Sequence, residues 1–359
     1  MTAGHVSSPL RQLLWPVLAW VVYLLHFSLT GTWFNLFLLV ALVVSILEGV
    51  HHAETIAHAV GEPFGTLVLA LAVTCIEASL IISLMAASGP EGATLARDTV
   101  FAAVMIILTG MIGMSLLVGG IKYGEQSFVL EGSNASITTI VAISVLTLIL
   151  PNFTTSIPGP YYNTQQLIFV AVITLVLYGS LLFVQNFKHK QHFVDPADRS
   201  PGDADKVSRK QALMSFVLMV VCLLAVVLLT KSLSPALDAF IVRNNAPKEL
   251  AGVIIAAVIL IPEGLSAYRA STRNQLQKSL NLSLGSALAS ISLTMPVVSI
   301  YAVWTDTQII LGIDEAATIL FLLTLFILSL SLKTGRTTIL QGIILLVIFL
   351  VYLFTILVP

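Results

Sequence analysis

The sequence predicts an all-α polytopic membrane protein of about eleven transmembrane helices, arranged as two inverted five-helix repeats plus an N-terminal helix. Three observations predict it. Hydrophobic residues make up 57 % of the chain and charged residues 10 %, where a soluble domain carries about 25 % charged residues; mean hydropathy is +0.98. The apolar residues come in runs of about twenty, the length a helix needs to cross a ~30 Å hydrocarbon layer. The basic residues segregate between alternate loops, as the positive-inside rule requires.

Taken in order, the runs are 12–30, 32–50, 64–88, 98–122, 136–156, 166–187, 212–231, 248–270, 279–304, 314–333 and 337–357. The first resembles a signal-peptide core, but only Arg11 precedes it and a second span follows at once, so it reads as a retained helix. With eleven spans, the N-terminal side carries Arg11, Lys122, the basic residues of 188–210, Arg269, Arg273, Lys278, Lys333 and Arg336. The other side carries only Arg97, Lys231, Arg243 and Lys248. The N-terminus is therefore expected in the cytoplasm and the C-terminus outside.

Residues 188–211 mix Lys, His, Asp, Pro, Gly and Ser and read as a solvated cytoplasmic linker. The chain then divides into 1–31, an N-terminal segment with its helix; 32–187, a first five-helix repeat; the linker; and 212–359, a second five-helix repeat. Five helices is an odd number, so the two halves insert with opposite orientation. That is the plan of many secondary transporters, whose site lies near the midplane.

Each half holds one acid in the middle of its second span. Glu77 sits in GEPFGTLVLALAVTCIEASLIISLM and Glu263 in AGVIIAAVILIPEGLSAYRA. A helix starting near Phe64 carries Glu77 about 20 Å into the layer. An acid there costs at least ~2.5–3.5 kcal/mol and usually marks an ion or proton path. The plainer alternative is a pair of protonated structural acids. A buried carboxylate that binds either a proton or a cation is the core of an antiporter. Thr74 supplies the nearest hydroxyl before Glu77. Pro262 has no N–H, so the carbonyl of Val258 loses its helical partner and is freed for a hard cation or simply marks a kink. The next helix in each half is rich in small residues, TGMIGMSLLVGG from Thr109 and GSALASISLTMP from Gly285. Gly110, Gly113, Ser286 and Ser290 are the candidates there to leave room for an ion or to let helices approach.

A second cluster, Glu48, His51, His52, Glu54, His58 and Glu62, ends span two and links it to span three. His51, Glu54 and His58 share a helical face, which suits a cytoplasmic cation vestibule or pH sensor, or a solvated interfacial helix. Cys75 and Cys222 lie in apolar runs and read as packing residues. No nucleotide loop, catalytic triad or zinc motif is present, so neither enzyme chemistry, ATP-driven pumping nor a cofactor is expected. Two other functions fit a polytopic chain, a cation channel and a proton-coupled transporter of another solute. The confinement of polar residues to one depth disfavours the first, and the scarcity of central aromatic and amide groups the second.

The stretches GEPFGTL from Gly61, VTCIEASLI around Glu77, ILIPEGL around Glu263, LGSALASISLTMPVV from Leu284 and SLKTGRTTILQG from Ser331 carry a resemblance over nearly the whole chain. The chain resembles the calcium/cation–proton antiporter superfamily, specifically its bacterial ChaA type. The resemblance implies exchange of cytoplasmic Ca²⁺, Na⁺ or K⁺ for external H⁺ across a bacterial inner (plasma) membrane. It implies that Glu77 and Glu263 bind cation and proton in alternation, and that helices starting near Phe101 and Leu280 complete the site. The lipid bilayer is then the partner, with no role for nucleic acid, and the oligomeric state stays open. The vacuolar members carry Gly-Asn-Ala-x-Glu in both repeats, whereas this chain has Val73-Thr74-Cys75-Ile76 and Ile259-Leu260-Ile261-Pro262 before its acids. Met114 and Ala289 also stand where Asn and Gln are expected. Fewer neutral oxygens imply weaker selectivity for Ca²⁺, which takes six to eight.

Overall fold

The computed structural model describes residues 9–26, 31–61, 64–188, 192–193, 207–244 and 246–358. Glu62, residues 27–30 of the expected first span, and most of the expected linker, with Lys190, Arg199 and Lys206, lie outside the described residues.

The helices are α1 (Pro9–Leu25), α2 (Thr32–Val60), α3 (Phe64–Ser88), α4 (Leu95–Met105), α5 (Ile112–Tyr123), α6 (Leu130–Ser144), α7 (Thr164–Phe183), α8 (Arg209–Arg243), α9 (Glu249–Ile259), α10 (Ile261–Thr272), α11 (Leu276–Ala289), α12 (Met295–Thr305), α13 (Glu315–Leu332) and α14 (Ile339–Leu357). Among the described residues, nine continuous helical stretches are long and apolar enough to cross a membrane, and the bent pair α9–α10 makes a tenth. The apolar part of α1, Leu14–Leu25, is shorter. Large side chains such as Trp33, Phe326 and Phe354 stand exposed on these helices. An all-helical chain with such outward faces is an integral membrane protein, since only lipid makes that surface favourable.

Two helices run further than their hydropathy suggests. The sequence reading ends span two at 50 and places Glu48 to Glu62 partly in a link, but α2 continues unbroken to Val60. Nothing in HHAETIAHAV breaks a helix; the stop is Gly61, at φ 75°, a left-handed value that favours glycine. Likewise α8 runs on through Pro235 to Arg243. It starts from a capping box in which Ser208 and Gln211 satisfy each other's backbone N–H groups.

The helices form two compact units, each taking helices from both halves of the chain. Unit 1 comprises α1, α2, α3 and α8. Its most extensive interface is α2 along α8. Gly49 on α2 permits this packing: a Cβ there would meet Ile76 of α3 at 3.1 Å and Cys222 of α8 at 3.6 Å. Unit 2 comprises the remaining helices. Phe101 lies edge-on to both Phe321 and Tyr352, with ring centroids 5.7 Å apart in each pair. At one end its loops are laced together: Arg97 donates to the Gly312 carbonyl, Asn152 to the Ile313 carbonyl, and the Ile310 N–H to Ala93. At the other end Gln126–Ser127 pairs antiparallel with Arg336–Thr337 in a two-residue ribbon.

Candidate functional site

In unit 1, α3 begins at Phe64 and runs without interruption, so Glu77 falls near its centre. Glu77 is 2 % exposed and Thr74 4 %. The Thr74 hydroxyl has no hydrogen-bonding partner, an uncommon state for a buried hydroxyl. On α2, His51, Glu54 and His58 are exposed along one face, as their spacing predicts, and Glu48 is half-buried. They therefore line a helix rather than a link. His52 turns inward and is fully buried, and neither ring nitrogen finds a partner.

In unit 2 the span carrying Glu263 is broken. α9 ends at Ile259, α10 starts at Ile261, and their axes bend by 56°. Pro262 is the cause, sitting in the first turn of α10, where a missing N–H costs nothing. The break puts Glu263 in that first turn, at the helix end that favours negative charge. Glu77 instead lies in the middle of α3, away from that helix's own ends. Val258, Pro262 and Glu263 are all half-buried.

The span after each acid contains a wide, π-type turn at mid-length, Ile106–Met111 between α4 and α5 and Ser290–Thr294 between α11 and α12. The same type of turn also occurs at Val145–Ile149 and Val184–Lys188, so the turn by itself does not mark the site. The two turns after the acids hold Thr109, Gly110 and Ser290. The glycines point elsewhere. A Cβ on Gly113 would meet Leu345 and Leu346 of α14 at 3.1 Å, and one on Gly110 the Phe349 ring at 3.6 Å. Their bare faces seat α14. Gly110 also borders a cavity of about 220 Å³ with Met111, Met114, Ser115, Gly264 and Tyr268. Ser286 is half-buried and Ser290 3 % exposed, on α11 and at its end. Among the described residues no three His, Cys, Asp or Glu side chains converge as a metal centre.

One buried acid escaped the sequence reading. Asp98, 9 % exposed, receives Arg97 Nε at 2.8 Å and Nη2 at 2.7 Å. Arg97 also holds the Gly312 carbonyl at 2.9 Å, which makes the pair a clamp between α4 and a loop. Its signal was the Arg-Asp dipeptide at a span start.

The sodium/calcium exchanger protein family matches residues 30–187 and 214–358. The chain is 42 % identical over 309 residues to the putative ionic transporter y4hA of Sinorhizobium fredii, covering 86 % of this chain and 84 % of that one. It is 35 % identical to the sodium-potassium/proton antiporter ChaA of Escherichia coli, covering 96 % of this chain and 95 % of that one. Among solved structures it matches the H⁺/Ca²⁺ exchanger CAX with a TM-score of 0.73 at 15 % identity, over 96 % of this chain and 88 % of that one. At that identity the likeness concerns the fold.

Proposed function

This chain belongs to the sodium/calcium exchanger protein family, and from that we propose that it is a secondary active antiporter exchanging cytoplasmic cations for external protons at Glu77 and Glu263. The observation that carries the reading is one acid placed within each of two apolar runs, Glu77 buried and Glu263 half-buried. A carboxylate in an apolar site exchanges a proton for a cation because the two compete for the same oxygens. The Thr74 hydroxyl, the Val258 carbonyl released by Pro262, and Ser286 and Ser290 add neutral oxygens.

The transport cycle is alternating access. A cation arriving from the cytoplasm displaces protons from the two glutamates. One half of the protein rocks or slides against the other, the cation leaves outside, and external protons reload the acids. Two carboxylates suit two protons per Ca²⁺, a ratio that reversal potentials in voltage-clamped vesicles would test. The small number of neutral oxygens supports Na⁺ and K⁺ as cargo beside Ca²⁺, in keeping with the Escherichia coli relative being named a sodium-potassium/proton antiporter. The distribution of basic residues supports a cytoplasmic N-terminus and an external C-terminus in a bacterial inner membrane.

The test is collapse of a pre-formed proton gradient in inside-out vesicles on adding Ca²⁺, Na⁺ or K⁺ separately. Collapse with at least one cation, absent in vesicles without the protein, is expected, and the ranking gives the selectivity. A gradient untouched by all three refutes the proposal.

A further inference from the structure

One face of α11 is a ladder of hydroxyls. Ser279, Ser283, Ser286 and Ser290 recur at intervals of four, three and four residues, so they share one side of the helix. From Ser279 to Ser290 is about 16 Å at 1.5 Å per residue, half of a ~30 Å hydrocarbon layer. The ladder runs from the start of α11, where Asn281 donates to the carbonyl of Phe193 in the linker, to the π-type turn at mid-length.

Serine at such spacing is also a packing residue in membranes, so the stripe alone decides nothing. Two further observations do. Ser283 is fully buried and its hydroxyl has no hydrogen-bonding partner. Buried hydroxyls usually bond back to the carbonyl four residues earlier or to a neighbour, and an orphan costs about 1–3 kcal/mol unless something satisfies it. Ser279, one turn away, hydrogen-bonds at 2.8 Å to Ser115 of α5. Ser115 in turn borders the 220 Å³ cavity that Gly264, the neighbour of Glu263, also lines. The linker-side end of the ladder is polar: Gln277 donates to Asn281 at 2.8 Å and Gln126 to Asn274 at 2.7 Å, and Lys278 stands exposed beside Ser279.

We propose that the Ser279–Ser283 face of α11, with Ser115, is a hydroxyl-lined water path that carries protons between the linker side of unit 2 and Glu263. It rests on the antiporter reading above. A serine hydroxyl both donates and accepts, so a file of serines and waters can pass a proton on without holding it. One hydroxyl per turn with no carboxylate cannot replace the six to eight oxygens of a Ca²⁺ shell, so the path suits protons and water rather than the metal.

The test exploits size against chemistry. Ser283→Ala keeps the space and removes the hydroxyl; Ser283→Thr keeps the hydroxyl and crowds the space. A water path predicts that the alanine variant slows cation-driven proton movement about tenfold, the weight of one buried hydrogen bond, with the half-saturating cation concentration unchanged, and that threonine stays near wild type. A packing role predicts the reverse, and any pattern other than the first overturns the proposal. A second readout does not depend on transport: Ser283→Cys should take one more adduct of a small methanethiosulfonate, added from the linker side, than the wild-type chain, and Leu284→Cys should not. Failure of Ser283→Cys to react overturns the path even if exchange persists. Reaction in a protein that moves no protons with any cation overturns the antiporter reading and leaves the path standing.

Discussion

Replacing Gly342 by alanine should destabilise unit 2, and the structure fixes both sign and size. Gly342 of α14 faces α5 so closely that an added Cβ would lie 2.8 Å from Leu117 Cα and 2.9 Å from the Gly113 carbonyl oxygen. Real Cβ contacts do not come so near backbone, and backbone within a helix cannot step aside as a side chain can. Overpacking of this kind costs about 1–3 kcal/mol. Against it stands the helical preference of alanine over glycine, up to about 1 kcal/mol. The net expectation is a loss of up to about 2 kcal/mol. Gly179 on α7 is the internal control, because nothing lies within 4 Å of its added Cβ. There only the propensity gain operates, so Gly179→Ala should hold or raise stability. Thermal unfolding in detergent, followed by the loss of the monodisperse peak in size-exclusion chromatography, reads both variants. A Gly342→Ala midpoint at or above that of Gly179→Ala refutes the packing account of this glycine face.

Three further outcomes follow from named contacts. Arg97→Ala strands the buried Asp98 carboxylate and should cost about 3–5 kcal/mol, with much of it recovered in Arg97→Ala/Asp98→Asn; equal melting of single and double variants contradicts the clamp. The Tyr162 hydroxyl donates to the Leu146 carbonyl at 2.6 Å, and burial pushes its phenol up to about 12. The contribution of that raised group is complete below the ordinary phenol value near 10 and is lost as pH rises toward 12, so wild type should lose more stability than Tyr162→Phe over that window, which melts at stepped pH would check. Pro262→Ala supplies the N–H that a helix continuous through the break would aim at the Val258 carbonyl; stability should change by less than about 1 kcal/mol, since the proline sits at a helix start, while apparent cation affinity falls about tenfold if that carbonyl is a ligand. Unchanged affinity removes Val258 from the site.

Much of this was legible in the residues. α3 was readable to its first residue because an apolar run flanked by Gly61 and Gly89 leaves few alternatives. The break at Pro262 was readable because proline removes an N–H wherever it stands. The length of α2 was not: hydropathy falls at His51, His52 and Glu54, while nothing there opposes a helix. The facing of Gly110 and Gly113 toward α14 could not be read either, because small residues at that spacing serve equally to seat a helix or to make room for an ion. The π-type turns carry no residue signature that separates them from an ordinary helix. Asp98 was hidden at a span boundary, where its neighbour Arg97 made both look solvated.

The most direct test of the central claim is proton-coupled cation uptake in proteoliposomes with Glu77→Gln and Glu263→Gln made singly, each first shown to fold and insert like wild type. Glutamine keeps the size and hydrogen-bonding reach of each side chain but can neither release a proton nor neutralise a cation. The account predicts that either substitution abolishes coupled exchange. Exchange at the wild-type rate in both variants would contradict it.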